Sequence, residues 1–540
     1  VAQAVGAATQ ALAVNPTADA RELFARYVGS LPDTALAESH RDRISEALRD
    51  GWTRPGELDG IAAALIKCDL GLPDAPARAP AGPERGGLEP QTLRLMIGNR
   101  LLQNLMAAAP VRDGELERLL TLARKSLLDA ASEAGTDFPA EMLPFACALA
   151  RQCFINEYVF AAGPDEPVAV RRISGALAER LSAAAECPPA WAAVVGMYEP
   201  LHALPQAKQL VERTWPAPVA DLLVQQIREP QEEHGIRASL SALTPIDDAV
   251  SRLVQAQYEE NPYPRWVAPA PAIKAQPLDR YLRMKFPRAP LAALPPAERS
   301  EILVAGCGTG AHAIDVCRRI LGARILAIDL SAASLAYAVR KTRALGLPID
   351  YAQADILRLG GLGREFDLIE ASGVLHHLAD PMAGWRILLS LLKPGGIMSV
   401  GLYSRRARAD INAARAFIAE RGYRATPDDI RRCRQDLVSL PADAPARGVT
   451  QSGDFHSMSG CRDLLFHVQE HQHTLPEIAA FLAEQKLQFL GFEIDPRVLA
   501  LYGEINPDDP AMTDLARWDR FESEHPHVFA AMYQFSVQKV

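Results

Sequence analysis

The sequence predicts an open α/β domain on a parallel sheet, preceded by an all-α region. Three observations predict it. Short apolar runs bounded by glycine or by an acid recur between residues 301 and 403, separated by helix-like stretches. The first run opens into a glycine-rich loop, Gly306–Gly310. The residues before about 240 carry apolar positions at helical spacing instead.

The run Ile302–Ala305 reads as a strand buried on both faces of a parallel sheet. Gly306, Gly308 and Gly310 let the backbone turn and approach a ligand where a Cβ would collide. Ala311–Leu321 has apolar positions at Ile314, Val316, Cys317 and Ile320, a helix packing back on that strand. The second run, Arg324–Leu330, reaches Asp329 nineteen residues beyond Gly310, an acid able to accept hydrogen bonds from both hydroxyls of a ribose. Gly306, Gly308 and Ala311 also fit a relaxed dinucleotide fingerprint, so the loop alone does not choose the cofactor. Further on, a third strand, Ile349–Ala354, ends in Asp355, and a fourth, Phe366–Ala371, leads into a loop with paired histidines. LLKPGG, Leu391–Gly396, reads as a helix stop and turn into a fifth strand, Ile397–Tyr403.

At these residues the chain resembles the class I S-adenosylmethionine (SAM) dependent methyltransferases. The glycine loop, ribose acid, second acid, FDLI strand and LKPGG turn occur in that order between Glu301 and Gly396. The resemblance implies a Rossmann-like, seven-stranded fold with SAM as cofactor. It also implies that Gly306, Cys307, Gly308 and Gly310 pass under the methionine part, Asp329 with Leu330 holds the ribose, and Asp355 with Ile356 flanks the adenine. Ser372 would border the cofactor from the loop after the fourth strand.

At 540 residues the chain is long enough for two to four domains, and 49% apolar with 23% charged residues is the balance of a globular protein. The closest approach to a membrane span, Leu143–Gly163, contains Arg151 and Glu157, so no membrane association is expected. The opening residues lack a signal or transit pattern, and the eight cysteines form no CxxC pair, from which a reducing, cytoplasmic setting is expected. Since the chain begins at Val1 rather than Met, upstream residues are left open. A net charge of −9 with no appended RNA-binding motif argues against a nucleic-acid partner.

Four parts are expected in order. Residues 1–72 read as helical, with Ala11–Pro16 similar to the closing turn of a tetratricopeptide pair, or else an ordinary helix stop at Asn-Pro. Pro73–Gly87, with four prolines and three glycines, reads as a linker. Residues 88–245 read as an all-α domain, in which Leu116, Leu119, Leu120, Ala123 and Leu127 form one core-facing stripe. Residues 250–299 follow as lid and proline-rich linker, then the catalytic domain, 300–540, with helical inserts at 405–474 and 497–530. The lid is YEENPYPRW, Tyr258–Trp266, whose prolines fix a rigid irregular path bearing three aromatics. A domain hinge would account for the same residues.

On the acceptor side, His376 and His377 sit where this fold presents residues to the reactive methyl, and an imidazole can take a proton near neutrality. Tyr263 and His467 are the other catalytic candidates. Tyr258, Trp266, Tyr403 and Arg462 are expected to line the acceptor pocket, with Glu370 an alternative lining group. His467 and His471 stand at i and i+4, but without an HExxH signature or cysteine partner no metal is expected. The function expected is methyl transfer to a protein or peptide recruited by the helical region. The alternative is a small-molecule O- or C-methyltransferase whose helices serve homodimerisation. An RNA methyltransferase and a non-catalytic SAM-binding scaffold are the remaining readings.

Overall fold

The computed structural model describes residues 1–31, 34–72, 88–134, 139–269, 271, 274–292, 294 and 299–540, so the linker expected at Pro73–Gly87 lies outside the described residues. The chain divides into two units. One comprises Val1–Glu232, Arg265–Pro271 and Phe417–Phe466; the other comprises Glu233–Pro264, Ala272–Ala416 and His467–Val540. In this division residues 233–264 group with the sheet, while Arg265–Pro271 and 417–466 group with the helices.

The first unit is all-α. Its stripe of Leu116, Leu119, Leu120, Ala123 and Leu127 is buried along the helix Gly114–Ala134. The segment 417–466 joins this unit through charge as well as packing. Arg434, on the helix Pro427–Ser439, reaches the Glu117 carboxylate at 2.9 Å, and His456 Nδ1 lies 3.1 Å from the same oxygen. Burial pushes the Glu117 pKa up, but Arg434 and His456 outweigh it and hold the carboxyl at about 2. Arg431 adds a bond to the Tyr158 carbonyl at 2.8 Å. A long insertion is thus fixed by groups that are costly to bury unpaired.

The second unit is built on one sheet of β1 (Ser241–Ala242), β2 (Ser300–Ala305), β3 (Ala323–Asp329), β4 (Ile349–Gln353), β5 (Phe366–Ser372), β6 (Leu392–Leu402), β7 (Leu487–Phe492) and β8 (Tyr533–Lys539). The order is β1-β4-β3-β2-β5-β6-β8-β7. β1 to β6 pair in parallel, and β8 lies antiparallel between β6 and β7. The seven-stranded expectation is met with one addition, the two-residue β1 along β4. Alternation along the strands feeds two cores. Ile302, Val304, Ile325 and Ala327 face one; Leu303, Ala305, Leu326 and Ile328 face the other. The LKPGG segment is not a free turn: β6 begins at Leu392 and passes through it, with a register shift opposite Phe366 and Leu368 and Gly395 at φ +76°. β2 has β3 on one side and β5 on the other, so a crevice opens at their carboxyl ends, where ligands of open α/β sheets bind. Among the described residues no helix is long and apolar enough to cross a membrane.

Candidate cofactor and acceptor site

The loop after β2 enters that crevice under close steric control. Gly306 has φ +70°, and a Cβ there would lie 2.4 Å from Val374 Cγ2. Gly308 has φ +51°, and its Cβ would meet the Tyr263 carbonyl oxygen at 2.7 Å. Only glycine fits these two positions without displacing a neighbour. Cys307 is buried beside them; burial pushes its thiol pKa well up, and its N–H donates to the Ile328 carbonyl at 2.9 Å. Gly310 then caps the helix Ala311–Arg319.

Two acids stand at neighbouring strand ends. The Asp329 carboxylate accepts from Gly308 N at 2.8 Å and Ser331 N at 2.9 Å, one backbone amide per oxygen. Burial raises its pKa, with those amides opposing. Leu330 offers its carbonyl to Gln353 Nε2 at 2.8 Å. Asp355 is buried; its Oδ1 caps the short helix Ile356–Gly361 through Leu357 N, while Oδ2 is buried with no hydrogen-bond partner among the described residues. Ile356 is buried behind it in the core. A buried acceptor without a donor is costly, and an exocyclic amine is the kind of donor it lacks.

The loop after β5 carries the rings. His377 Nδ1 donates to the Gln469 carbonyl at 2.8 Å, so in the neutral ring Nε2 keeps the lone pair. The next amide over works in reverse: Gln469 N donates to His467 Nδ1 at 3.0 Å, which leaves His467 Nε2 as the donor facing the Tyr258 hydroxyl at 3.1 Å. His377 and His467 stack at 3.7 Å, and His376 stacks on Tyr403 at 3.8 Å. Burial holds all three imidazoles below their ordinary range: His377 at about 4, His467 at about 2 and His376 lower than usual by a wide margin. His376 is fully buried, and neither ring nitrogen has a hydrogen-bond partner among the described residues. Behind Tyr403, the Arg408 guanidinium lies 3.6 Å from the ring centre, and Arg408 and Arg415 share the buried Glu470 carboxylate.

The remaining expected residues are placed as follows. Tyr263 meets the glycine loop through its backbone carbonyl. Ser372 Oγ accepts from Gln534 Nε2 at 3.0 Å. Trp266 and Arg462 belong to the all-α unit, in the segment Arg265–Pro271 and on the helix Met458–Phe466. That helix ends at Phe466, so His467 and His471 do not share a helical face as their spacing suggested; His471 N instead donates to the His376 carbonyl at 2.8 Å. Glu370 lies within β5, buried, where Lys285 and His312 overcome the effect of burial and hold its carboxyl at about 2. It is an ion-pair partner in the fold. Sequence reasoning missed Gln469, Arg408 and Glu470 as parts of the ring cluster, and Thr244 and Glu259 near the acids. Thr244 and Arg408 lie in unremarkable local sequence, whereas Glu259 lies inside the Tyr258–Trp266 segment and Gln469 and Glu470 lie between His467 and His471, where the aromatic and histidine neighbours drew the reading.

The methyltransferase-domain family matches residues 302–396. An uncharacterized protein of Synechococcus sp. is 30% identical over 303 residues, covering 53% of this chain and 70% of that protein. A ubiquinone biosynthesis O-methyltransferase of Methylocella silvestris is 35% identical over 137 residues, 25% of this chain and 48% of the relative, so the chain spans about half the length of that enzyme. Among solved structures, PKMT2 from Rickettsia typhi is similar at 16% identity and TM-score 0.38, covering 48% of this chain and 52% of that one. The glycine cradle, the carboxylate of Asp329 and the unpartnered Asp355 oxygen fit SAM, which they would hold by its methionine part, ribose and adenine respectively. The chain belongs to the class I SAM-dependent methyltransferases.

Proposed function

We propose that the protein methylates an acidic oxygen, a phenol-type hydroxyl or a carboxyl group, of an acceptor held against the rings of Tyr258, His376, His377, Tyr403 and His467. The observation that carries this reading is the charge of the cluster. The imidazoles are held neutral by burial, and the buried Glu470 carboxylate behind them is paired with two guanidiniums, Arg408 and Arg415. A neutral imidazole among aromatic rings can take the proton that an acidic acceptor oxygen gives up. SAM, when bound, supplies a methyl group activated by the positive charge on sulfur. The chain's part is to align the acceptor oxygen with it. The oxygen–carbon bond forms as the carbon–sulfur bond breaks, its electron pair going to sulfur. Any acceptor proton passes to His377 Nε2, the lone pair fixed by the Gln469 carbonyl, and on to water. An imidazole near pKa 4 is unprotonated throughout the neutral range, and as a weak base it suits an acidic hydroxyl better than an aliphatic alcohol. The O-methyltransferase relatives agree with this chemistry.

A protein or peptide acceptor is the second reading. It is favoured by the size of the all-α unit, which the small catalytic domain does not need for cofactor binding. Incubation with deuterated-methyl SAM and, separately, phenolic acids, long-chain carboxylic acids and lysate proteins distinguishes them. The expected result is label on oxygen of a small acid, alkali-labile if an ester. Label confined to lysine or another nitrogen would overturn the proposal. His377→Ala should lower kcat with SAM affinity unchanged.

A further inference from the structure

The segment that precedes the catalytic domain does more than lead into it. Thr244, next to β1, accepts from the backbone N–H of Asp355 at 2.8 Å. On the helix Ala249–Glu260, Gln255 donates to the Leu330 carbonyl at 3.2 Å, and the Tyr258 carbonyl accepts from Ser331 Oγ at 3.0 Å. Glu259 accepts from Ala332 N at 2.6 Å. At the far end, the Tyr263 carbonyl lies over Gly308, and the Pro264 carbonyl accepts from Thr309 Oγ1. One stretch of chain therefore makes hydrogen bonds beside each of the three cofactor contacts: to the Thr309 hydroxyl in the glycine loop, and to the backbone beside the ribose acid and the adenine-side acid. Ion pairs fasten it at its start, Glu233 with Arg340 at 2.8 Å and Arg237 with Glu259. Most of these partners are polar groups on a segment with few buried apolar side chains: in its helix only Val254 is both apolar and buried. A segment held by hydrogen bonds at its contact points, with little core of its own, belongs to the low-stability end of a fold.

We propose that residues 241–264 form a strap in which Thr244 and Glu259 are cofactor-positioning residues, and that SAM and the strap order one another. The three loops hold their ligand-ready geometry only while the strap is seated. A ligand that binds the seated form stabilises the seating by linkage. The proposal rests on the assignment of SAM to these loops and is separate from the nature of the acceptor.

Hydrogen exchange of the full chain, with and without S-adenosylhomocysteine, reads the coupling directly. Amides of 241–264 should exchange more slowly with the ligand present. By calorimetry, Thr244→Val and Glu259→Ala should each weaken binding by roughly three- to tenfold, the scale of one hydrogen bond lost at a partner loop. Thr244→Ser, which keeps the acceptor, should restore wild-type affinity, and melting without ligand should change little in any variant. Unchanged exchange across 241–264 together with unchanged affinity in the variants would overturn the strap. Failure of the wild-type protein to bind S-adenosylhomocysteine would instead overturn the cofactor assignment, and the strap with it. Should a variant fail to fold, the wild-type exchange experiment decides alone.

Discussion

Replacing Asp329 with alanine separates cofactor binding from folding. In the apo protein the carboxylate accepts one backbone amide on each oxygen, from Gly308 and Ser331. Each oxygen retains a lone pair for a ribose hydroxyl. Hydrogen bonds to a charged group contribute about 1.5–3 kcal/mol each, so losing even one to the ribose weakens SAM by roughly ten- to a hundredfold. The effect on folding should be modest, since the substitution removes one acceptor each from the Gly308 and Ser331 amides. The ion is also held against desolvation, as its raised pKa records, so its removal relieves a cost. Calorimetry with SAM and S-adenosylhomocysteine, paired with thermal melting of the apo variant, checks both halves. A folded Asp329→Ala protein that binds SAM as tightly as the wild type would show that the ribose is held elsewhere. Binding of NAD in place of SAM by the wild type would refute the cofactor itself.

Gly308→Ala forces a Cβ to within 2.7 Å of the Tyr263 carbonyl and requires an alanine at positive φ, so it should abolish measurable SAM binding by calorimetry while the rest of the sheet unit still folds. In the all-α unit, Arg434→Met leaves Glu117 buried beside a single histidine and should cost about 3–5 kcal/mol, read as a fall in the urea midpoint for that unit. Acid should weaken the fold through His377. Its pKa is depressed in the folded state, so the neutral form contributes stability that is complete above the ordinary value near 6.5 and lost as pH falls towards 4, about 3 kcal/mol in all. A melting series from pH 7.5 to 4 on wild type and His377→Ala should show a smaller acid loss in the variant; equal slopes would refute the assignment.

The sheet was legible from residues 301–403 because parallel strands are buried on both faces and therefore tend to be short and apolar, as Ile302–Ala305 is. The glycines and acids were legible for a related reason: a Cβ cannot fit at Gly306, and a carboxylate at a buried strand end such as Asp355 asks for a partner. Local sequence therefore determined the fold class, the cofactor and the family. It did not determine how distant segments are shared out. Residues 417–466 interrupt the catalytic domain yet join the helical unit, because the partner of Arg434 is Glu117, more than three hundred residues away. The spacing of His467 and His471 suggested one helical face, whereas the chain leaves the helix at Phe466 and lays its peptide across two imidazoles. The protonation pattern of those rings, and the hold of Thr244 and Glu259 on the cofactor loops, arise from burial and from single backbone hydrogen bonds between remote residues. Such bonds leave no periodicity and no composition behind, so only the tertiary structure decides them.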